Sequence, residues 1–154
     1  MSPDEKRPVG IEALNDAIKE VGTAYDLLAK AAGLSDPEFW SLDLIWHRAQ
    51  TQREIAERLY LSPQTLNSAF KLLVKKGLVE LTPFPHDQRS KRAALTAAGR
   101  AFVEEKVLPL EEVEAKAWAM LAPEEQAALV GLTRRFGGAL RHCLQLHTQS
   151  SEDL

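Results

Sequence analysis

Apolar residues recur every three or four positions through most of this chain, which is the spacing of one face of an α-helix. Near the N-terminus the pattern comprises Ile11, Leu14, Ile18, Val21, Tyr25 and Leu28. It returns after Pro123, which suits the first turn of a helix, and then comprises Leu129, Leu132, Phe136, Ala139, Cys143 and His147. The sequence therefore predicts a mainly helical protein with a long apolar stripe on each terminal helix.

The centre of the chain, residues 51–99, contains shorter elements. A helix is predicted over residues 52–59, with Thr51 as its N-cap, and the polar break Leu61-Ser62-Pro63 separates it from a second helix. Serine is a preferred N-cap and proline fits the first helical position, so the second helix begins at this break. Gly77 suits its C-terminal end. Two short helices joined by a tight turn are typical of a helix-turn-helix.

Two strand-like runs follow the second helix. Residues 78–82 and 93–95 are predicted to pair as strands, and Pro83 and Pro85 are predicted to begin the turn between them. Arg89-Ser90-Lys91-Arg92 would then place three positive charges in that turn. The order of elements predicts the fold class, mainly α with a small β-wing: a winged helix-turn-helix with additional N- and C-terminal helices.

The second helix of this pair carries DNA-binding chemistry on its outer face. At about 100° per residue, Leu66, Phe70, Leu73 and Val74 share one side, whereas Gln64, Ser68, Lys71 and Lys75 share the other, with Thr65 and Asn67 beside them. No acidic residue lies between Ser62 and Lys76. Because amides and hydroxyls hydrogen-bond base edges and ammonium groups bind phosphates, we predict two sets of contacts. Bases are contacted by Gln64, Thr65, Asn67 and Ser68, phosphates by Lys71 and Lys75, and Ser62 belongs to the same surface.

Other predicted DNA contacts flank this helix. Gln52 and Arg53 lie at the start of the preceding helix, where exposed N–H groups favour phosphate. In the wing, Arg89 is predicted to enter the minor groove, because a narrow groove concentrates negative potential. Lys91 adds positive charge beside it, and Asp87 is predicted to hold Arg89 in position. The alternative for these surfaces is an ordinary solvated helix and a solvated basic turn.

The charge distribution agrees with a DNA-binding face. The 154-residue chain has a net charge of −3, yet residues 48–92 contain nine Lys or Arg and four Asp or Glu. The remainder contains ten basic and eighteen acidic residues. A basic surface on an acidic body directs DNA to that surface and opposes non-specific binding elsewhere.

These central motifs resemble those of the MarR family of transcription regulators. The resemblance rests on Gly77-Leu78-Val79 at the end of the second helix, on Asp87-x-Arg89, and on Leu95-Thr96-x-x-Gly99. The order of the helices is similar to that family over nearly the whole chain. Gln64-Thr65-x-Asn67-Ser68 resembles a branch that contacts DNA with a polar, amide-rich helix. Many relatives carry an arginine where this chain has Glu80 and Leu81, so no strand contact to phosphate is expected there.

The resemblance implies one MarR-like domain over residues 1–154, with a DNA-binding lobe at about 36–96 and dimerisation and connector helices at about 9–32 and 97–147. It also implies a homodimer on a palindromic operator, which the two apolar terminal stripes favour as well, and repression by blocking a promoter. A pocket for a small aromatic or anionic effector is implied between the dimer base and the DNA lobe. Its predicted wall consists of Tyr25, Trp40, Trp46 and Phe102, for each of which packing in the core is the alternative.

The sequence lacks the motifs of common enzyme classes. It has no glycine-rich phosphate loop, no nucleophile elbow and no His-Glu-x-x-His pair, so neither catalysis nor a cofactor is expected. His142 and His147 are five residues apart and do not share a helix face, so no metal site is expected. The lone Cys143 suits a packed position in a reducing cytoplasm and excludes an internal disulfide.

No signal peptide or apolar run of membrane-spanning length is visible in the sequence, so we expect a cytoplasmic protein that does not bind membranes. Double-stranded DNA is the expected partner. Two other functions remain open at this point. One is a winged-helix module that binds another protein without specific DNA binding, and the other is a helical protein that sequesters small ligands.

Overall fold

The computed structural model describes residues 9–48, 51–84 and 87–152. In chain order the elements are α1 (Ile11–Ala31), α2 (Asp36–Trp46), α3 (Gln52–Leu59), α4 (Pro63–Lys75), β1 (Val79–Phe84), β2 (Asp87–Leu95), α5 (Ala97–Phe102), α6 (Leu108–Trp118) and α7 (Pro123–Glu152). The two strands pair as an antiparallel hairpin. The predicted fold class, mainly α with a small β-wing, is confirmed.

The chain divides into two compact units, of which the first ends at Leu110 and the second begins at Glu111. The first unit contains the helix-turn-helix and the hairpin. Its fully buried apolar side chains come from helices and strands alike: Phe39, Leu42, Ile55, Leu66, Phe70, Leu73, Val79, Val103 and Val107. Burial of each such side chain contributes about 1.5–3 kcal/mol, so this core holds α4 and the hairpin on one body.

The predicted helix caps are present. The Thr51 hydroxyl accepts a hydrogen bond from the Glu54 N–H at 3.0 Å, and the Ser62 hydroxyl accepts one from the Thr65 N–H at 3.1 Å. Gly77 follows α4 with a φ of 72°, a left-handed conformation that glycine adopts without steric cost. These interactions fix where α3 and α4 begin and where α4 ends.

The hairpin differs from the prediction. Pro83 belongs to β1 and pairs with Lys91, and β2 begins at Asp87, so the basic run 89–92 lies in a strand and not in a turn. The pairing then passes from Pro83–Lys91 directly to Phe84–Asp87, which leaves residues 88–90 in an irregular part of the ladder. Proline is tolerated in a strand at an unpaired edge, and this two-stranded sheet offers one. The predicted turn residue Pro85 lies outside the described residues.

The helix that follows the hairpin is interrupted before Pro109. After α5, residues Val103–Val107 form a π-helical turn, in which the Leu108 N–H donates to the Val103 carbonyl oxygen five residues earlier. Proline has no N–H to donate and clashes with a regular helix, so a widened turn directly before it avoids part of that conflict. The Thr96 hydroxyl caps the start of α5 by accepting from the Gly99 N–H at 2.9 Å.

Candidate nucleic-acid interface

Helix α4 is anchored in the core along one side. Leu66, Phe70 and Leu73 are buried as predicted, and Ala69 is buried beside them. Val74 was expected on this side but is 43% exposed. At about 100° per residue, the buried residues cover one arc of the helix circumference, with Ala69 at one edge and Phe70 at the other. Val74 lies outside this arc, past Phe70.

The opposite side of α4 is open. All six predicted contact residues of this helix are exposed, namely Gln64, Thr65, Asn67, Ser68, Lys71 and Lys75. The Ser68 hydroxyl already donates to the Gln64 carbonyl oxygen at 3.1 Å, and the Thr65 hydroxyl lies 2.8 Å from that of Ser62. Within the described part of the chain, the side chains of Gln64 and Asn67 form no hydrogen bond. The two amides are therefore the groups with the most unused hydrogen-bonding capacity on this face.

Helix α3 precedes α4 in sequence, and its first turn carries Arg53, a cation that forms an ion pair. Arg53 Nε lies 2.9 Å from Glu57 Oε1, and the Arg53 side chain is 87% exposed. An exposed pair of this kind contributes about 0.3–0.5 kcal/mol, so a phosphate can replace Glu57 at little cost. Gln52, the other predicted residue here, is half-buried.

The wing residues are described less completely. Lys91 is exposed on β2. The backbone of Asp87 and Arg89 also lies in β2, whereas their side chains lie outside the described part of the structure. The interaction predicted between these two side chains therefore stays a prediction.

A buried carboxylate ties the end of α4 to α2. Glu38 is 3% exposed, and its Oε2 accepts hydrogen bonds from the Ser35 N–H at 3.0 Å and the Ser35 hydroxyl at 2.8 Å. Its Oε1 accepts a hydrogen bond from Lys76 Nζ at 2.6 Å. The residue thus caps α2 and also holds the C-terminal end of α4.

The pKa of Glu38 reflects two opposing effects. Burial raises it, but the hydrogen bonds from Lys76 and Ser35 outweigh burial and hold the pKa below the ordinary value of 4.5. A carboxyl whose pKa is lowered in the folded state adds stability above its ordinary pKa. That stability is lost as the pH falls through the lowered pKa.

We expect Glu38→Gln to lower the free energy of unfolding by about 1–2 kcal/mol at pH 7, because a neutral amide binds the Lys76 ammonium more weakly. Urea unfolding at pH 7 and at pH 3 measures the effect, which should shrink at the lower pH. Glu80→Gln, at an exposed position of β1, is the control and should change little. An equal loss for Glu38→Gln at both pH values would contradict the ion-pair explanation.

This Glu38–Lys76 link was not predicted from the sequence. The Ser35-x-x-Glu38 spacing is the signal of a capping box and indicates half of the arrangement. The other half depends on Lys76, which is distant in sequence and which no local pattern connects to α2.

The four aromatic residues predicted to line one pocket lie in different surroundings. Tyr25 and Trp40 pack edge to face with ring centroids 5.5 Å apart, and both line an open cleft of about 870 Å³. Trp40 Nε1 donates to Asp36 Oδ1 at 2.9 Å. Trp46 lines a separate cavity of about 320 Å³, and Phe102 packs half-buried against the hydrophobic core.

Two further predictions concern the environment of Cys143 and the presence of membrane-spanning helices. Cys143, expected in a packed position, is exposed on α7 of this chain. Among the described helices, none combines the length and the apolar character that crossing a bilayer requires.

A protein-family model and a relative from Bacillus subtilis each match part of this chain. The model of the MarR family matches residues 32–90. YkoM of Bacillus subtilis (strain 168), an uncharacterized HTH-type transcriptional regulator, is 30% identical over 118 residues, which cover 75% of this chain and 76% of that protein.

Two solved complexes with DNA are similar in fold to most of this chain. The transcriptional regulator MosR of M. tuberculosis, in complex with DNA, is 27% identical with a TM-score of 0.66, covering 88% of this chain and 98% of that one. A mutant MarR of E. coli, in complex with operator DNA, is 26% identical with a TM-score of 0.67, covering 82% of this chain and 94% of that one.

Proposed function

We propose that this chain, which belongs to the MarR family and is a DNA-binding transcriptional regulator, represses transcription as a homodimer on a palindromic operator. The observation that carries the proposal is the outer face of α4, which is exposed, polar and free of acidic residues. Its amides are oriented away from the core that anchors the helix. We infer no catalytic role, and we place the activity in the cytoplasm.

The residues of this face have distinct proposed roles. Gln64 and Asn67 contact base edges, since their side-chain amides can donate and accept in the pattern that adenine presents in the major groove. Lys71 and Lys75 contact phosphates and set the position of the helix along the duplex. Thr65 and Ser68 add hydroxyl contacts next to the amides. Arg53 and Lys91 extend the positive surface on either side.

Exposed apolar side chains support the homodimer. On α7 several large side chains are exposed: Leu129 51%, Leu132 62%, Phe136 40%, Leu140 60% and Leu144 60%. On α1 the same holds for Ile11 50%, Ile18 55% and Val21 56%. Such contiguous apolar surface is typical of a protein interface, and a second copy of the chain would cover it. A two-fold dimer would place two α4 helices about one turn of DNA apart, which requires a palindromic site.

The cleft lined by Tyr25 and Trp40 is the proposed site of an effector. Lys19 and Arg58 line it together with Asp26 and Asp36, so its charges balance, and the two aromatic rings favour a small aromatic molecule as the proposed ligand. An anionic group on that molecule would have to bind Lys19 or Arg58. Such a molecule would release the operator if it bound the DNA-free form about 1–3 kcal/mol more tightly than the DNA-bound form.

The base-contact role of Gln64 predicts a change in sequence preference. Gln64→Ala should relax the choice of base at one position of each half-site by about 1–3 kcal/mol, because the alanine leaves that base edge without a specific partner. Binding of operator variants, measured by fluorescence anisotropy, provides the test. Lys71→Ala is the matched contrast: it should weaken all sequences alike and reduce the salt slope by about one. A Gln64→Ala protein with unaltered base preference would exclude Gln64 as a base contact.

A further inference from the structure

Three arginines from separate parts of the chain line one small cavity of the first unit. Arg48 follows α2, Arg92 lies on β2 and Arg100 lies on α5. The cavity measures about 320 Å³, and Trp46 forms part of its wall. The apolar residues Ile45, Ala93, Ala94 and Leu95 complete the lining.

Hydrogen bonds and strand pairing fix the backbone of the three arginines, whereas their side chains are exposed. The Arg48 N–H donates to the Ile45 carbonyl oxygen at 3.1 Å, in a left-handed conformation with a φ of 76°. Arg92 pairs with Thr82 across the hairpin and forms an isolated bridge with Thr51. The Arg100 N–H donates to the Thr96 carbonyl oxygen at 2.9 Å. The fold therefore fixes the three backbone positions from which these side chains extend.

The charge of this cluster is uncompensated in the described structure. No carboxylate is among the described residues that line the cavity, and among the side chains described in residues 9–48, 51–84 and 91–149 none of the three guanidinium groups forms an ion pair. Each guanidinium group presents up to five N–H donors in a fixed planar arrangement. An anion bound between the three side chains would accept hydrogen bonds from them and balance their charge.

We propose that this cavity binds a small phosphorylated ligand, with the phosphate held by Arg48, Arg92 and Arg100 and the organic part against Trp46. Guanidinium groups match phosphate oxygens in a bidentate geometry. A phosphate monoester offers three terminal oxygens and nearly two negative charges, which three arginines use more fully than a single carboxylate. The volume lies at the small end of ligand pockets, which suits a ligand of few atoms beyond the phosphate.

The DNA backbone is the other source of phosphate near this lobe. A duplex presents phosphodiesters with one charge each, whereas the free ligand presents a terminal phosphate that can enter the cavity. The two sources are separable because a free phosphate compound binds without DNA, and a DNA contact contributes to the salt dependence of DNA binding.

Pyrophosphate is the probe for the free ligand. In calorimetric titrations at fixed ionic strength, the wild-type chain should bind pyrophosphate, and Arg100→Gln and Arg92→Gln should each bind it at least about tenfold more weakly. Arg134→Gln, at an exposed position of α7 outside the cavity, should bind as the wild type does. Arg92→Lys keeps the charge but loses the planar guanidinium, so it should bind pyrophosphate with intermediate affinity. Thermal unfolding of every variant shows whether the fold is retained.

Absence of pyrophosphate binding by the wild type would overturn the proposal, as would equal binding by Arg100→Gln and Arg134→Gln. DNA binding of Arg100→Gln as a function of salt provides the second arm. The proposed ligand site predicts a salt slope equal to that of the wild type. A slope reduced by about one would assign the cluster to the DNA backbone and would overturn the proposal.

Discussion

Replacement of Gly99 by alanine should lower the free energy of unfolding by about 3 kcal/mol or more, because the start of α5 packs directly on the backbone before β1. A Cβ at this position would lie 2.9 Å from the Leu78 carbonyl carbon and closer still to its oxygen. That oxygen also accepts a hydrogen bond from the Thr96 N–H at 3.1 Å. The backbone on both sides is thereby fixed, so the methyl group cannot be accommodated by a side-chain rotation. Urea unfolding measures the loss.

Gly22→Ala is the matched control for this substitution. Gly22 lies within α1, and a Cβ there would meet no atom within 4 Å. Alanine should therefore stabilise the helix by about 0.5–1 kcal/mol. A Gly99→Ala protein as stable as the wild type would show that α5 and the segment before β1 do not pack as described. Loss of DNA binding should accompany the loss of stability, because α5 joins the hairpin to the rest of the lobe.

Arg89→Ala should weaken binding of operator DNA about tenfold or more. The substitution removes the guanidinium predicted to enter the minor groove, where a narrow groove strengthens the attraction of a cation. Fluorescence anisotropy with a labelled duplex measures the affinity at fixed salt. Arg141→Ala, at an exposed position of α7 in the second unit, removes the same charge at a residue with no proposed DNA contact and should have a small effect. Unchanged affinity in Arg89→Ala would contradict the proposed role of the wing.

Much of the fold follows from local sequence signals. The caps at Thr51, Ser62 and Thr96 each rest on a hydroxyl that accepts a nearby backbone N–H, and such a contact depends on neighbours in sequence alone. The hairpin was predicted less accurately, since Pro83 was placed in the turn. A proline can occupy a strand when its missing N–H faces an open edge, and the sequence does not indicate which edge stays open.

In the candidate site, too, some features follow from local sequence, whereas others depend on residues that are distant in sequence. Helical periodicity is enough to place Gln64 and Asn67 on the outer face of α4, because both faces belong to one regular element. The arrangement of Arg48, Arg92 and Arg100 depends on three elements meeting in space. No spacing in the sequence predicts such a meeting. The Glu38–Lys76 pair has the same origin, with only its capping half visible locally.

Selection from random duplex DNA tests the central claim, sequence-specific binding by a dimer, most directly. The purified protein is mixed with the pool, bound duplexes are recovered over several rounds, and the retained sequences are determined. We predict an enriched palindrome whose half-sites lie about 10 base pairs apart, centre to centre. If no sequence is enriched even at low salt, where phosphate contacts are strongest, the claim is contradicted, and a winged-helix module that binds another protein becomes the better account.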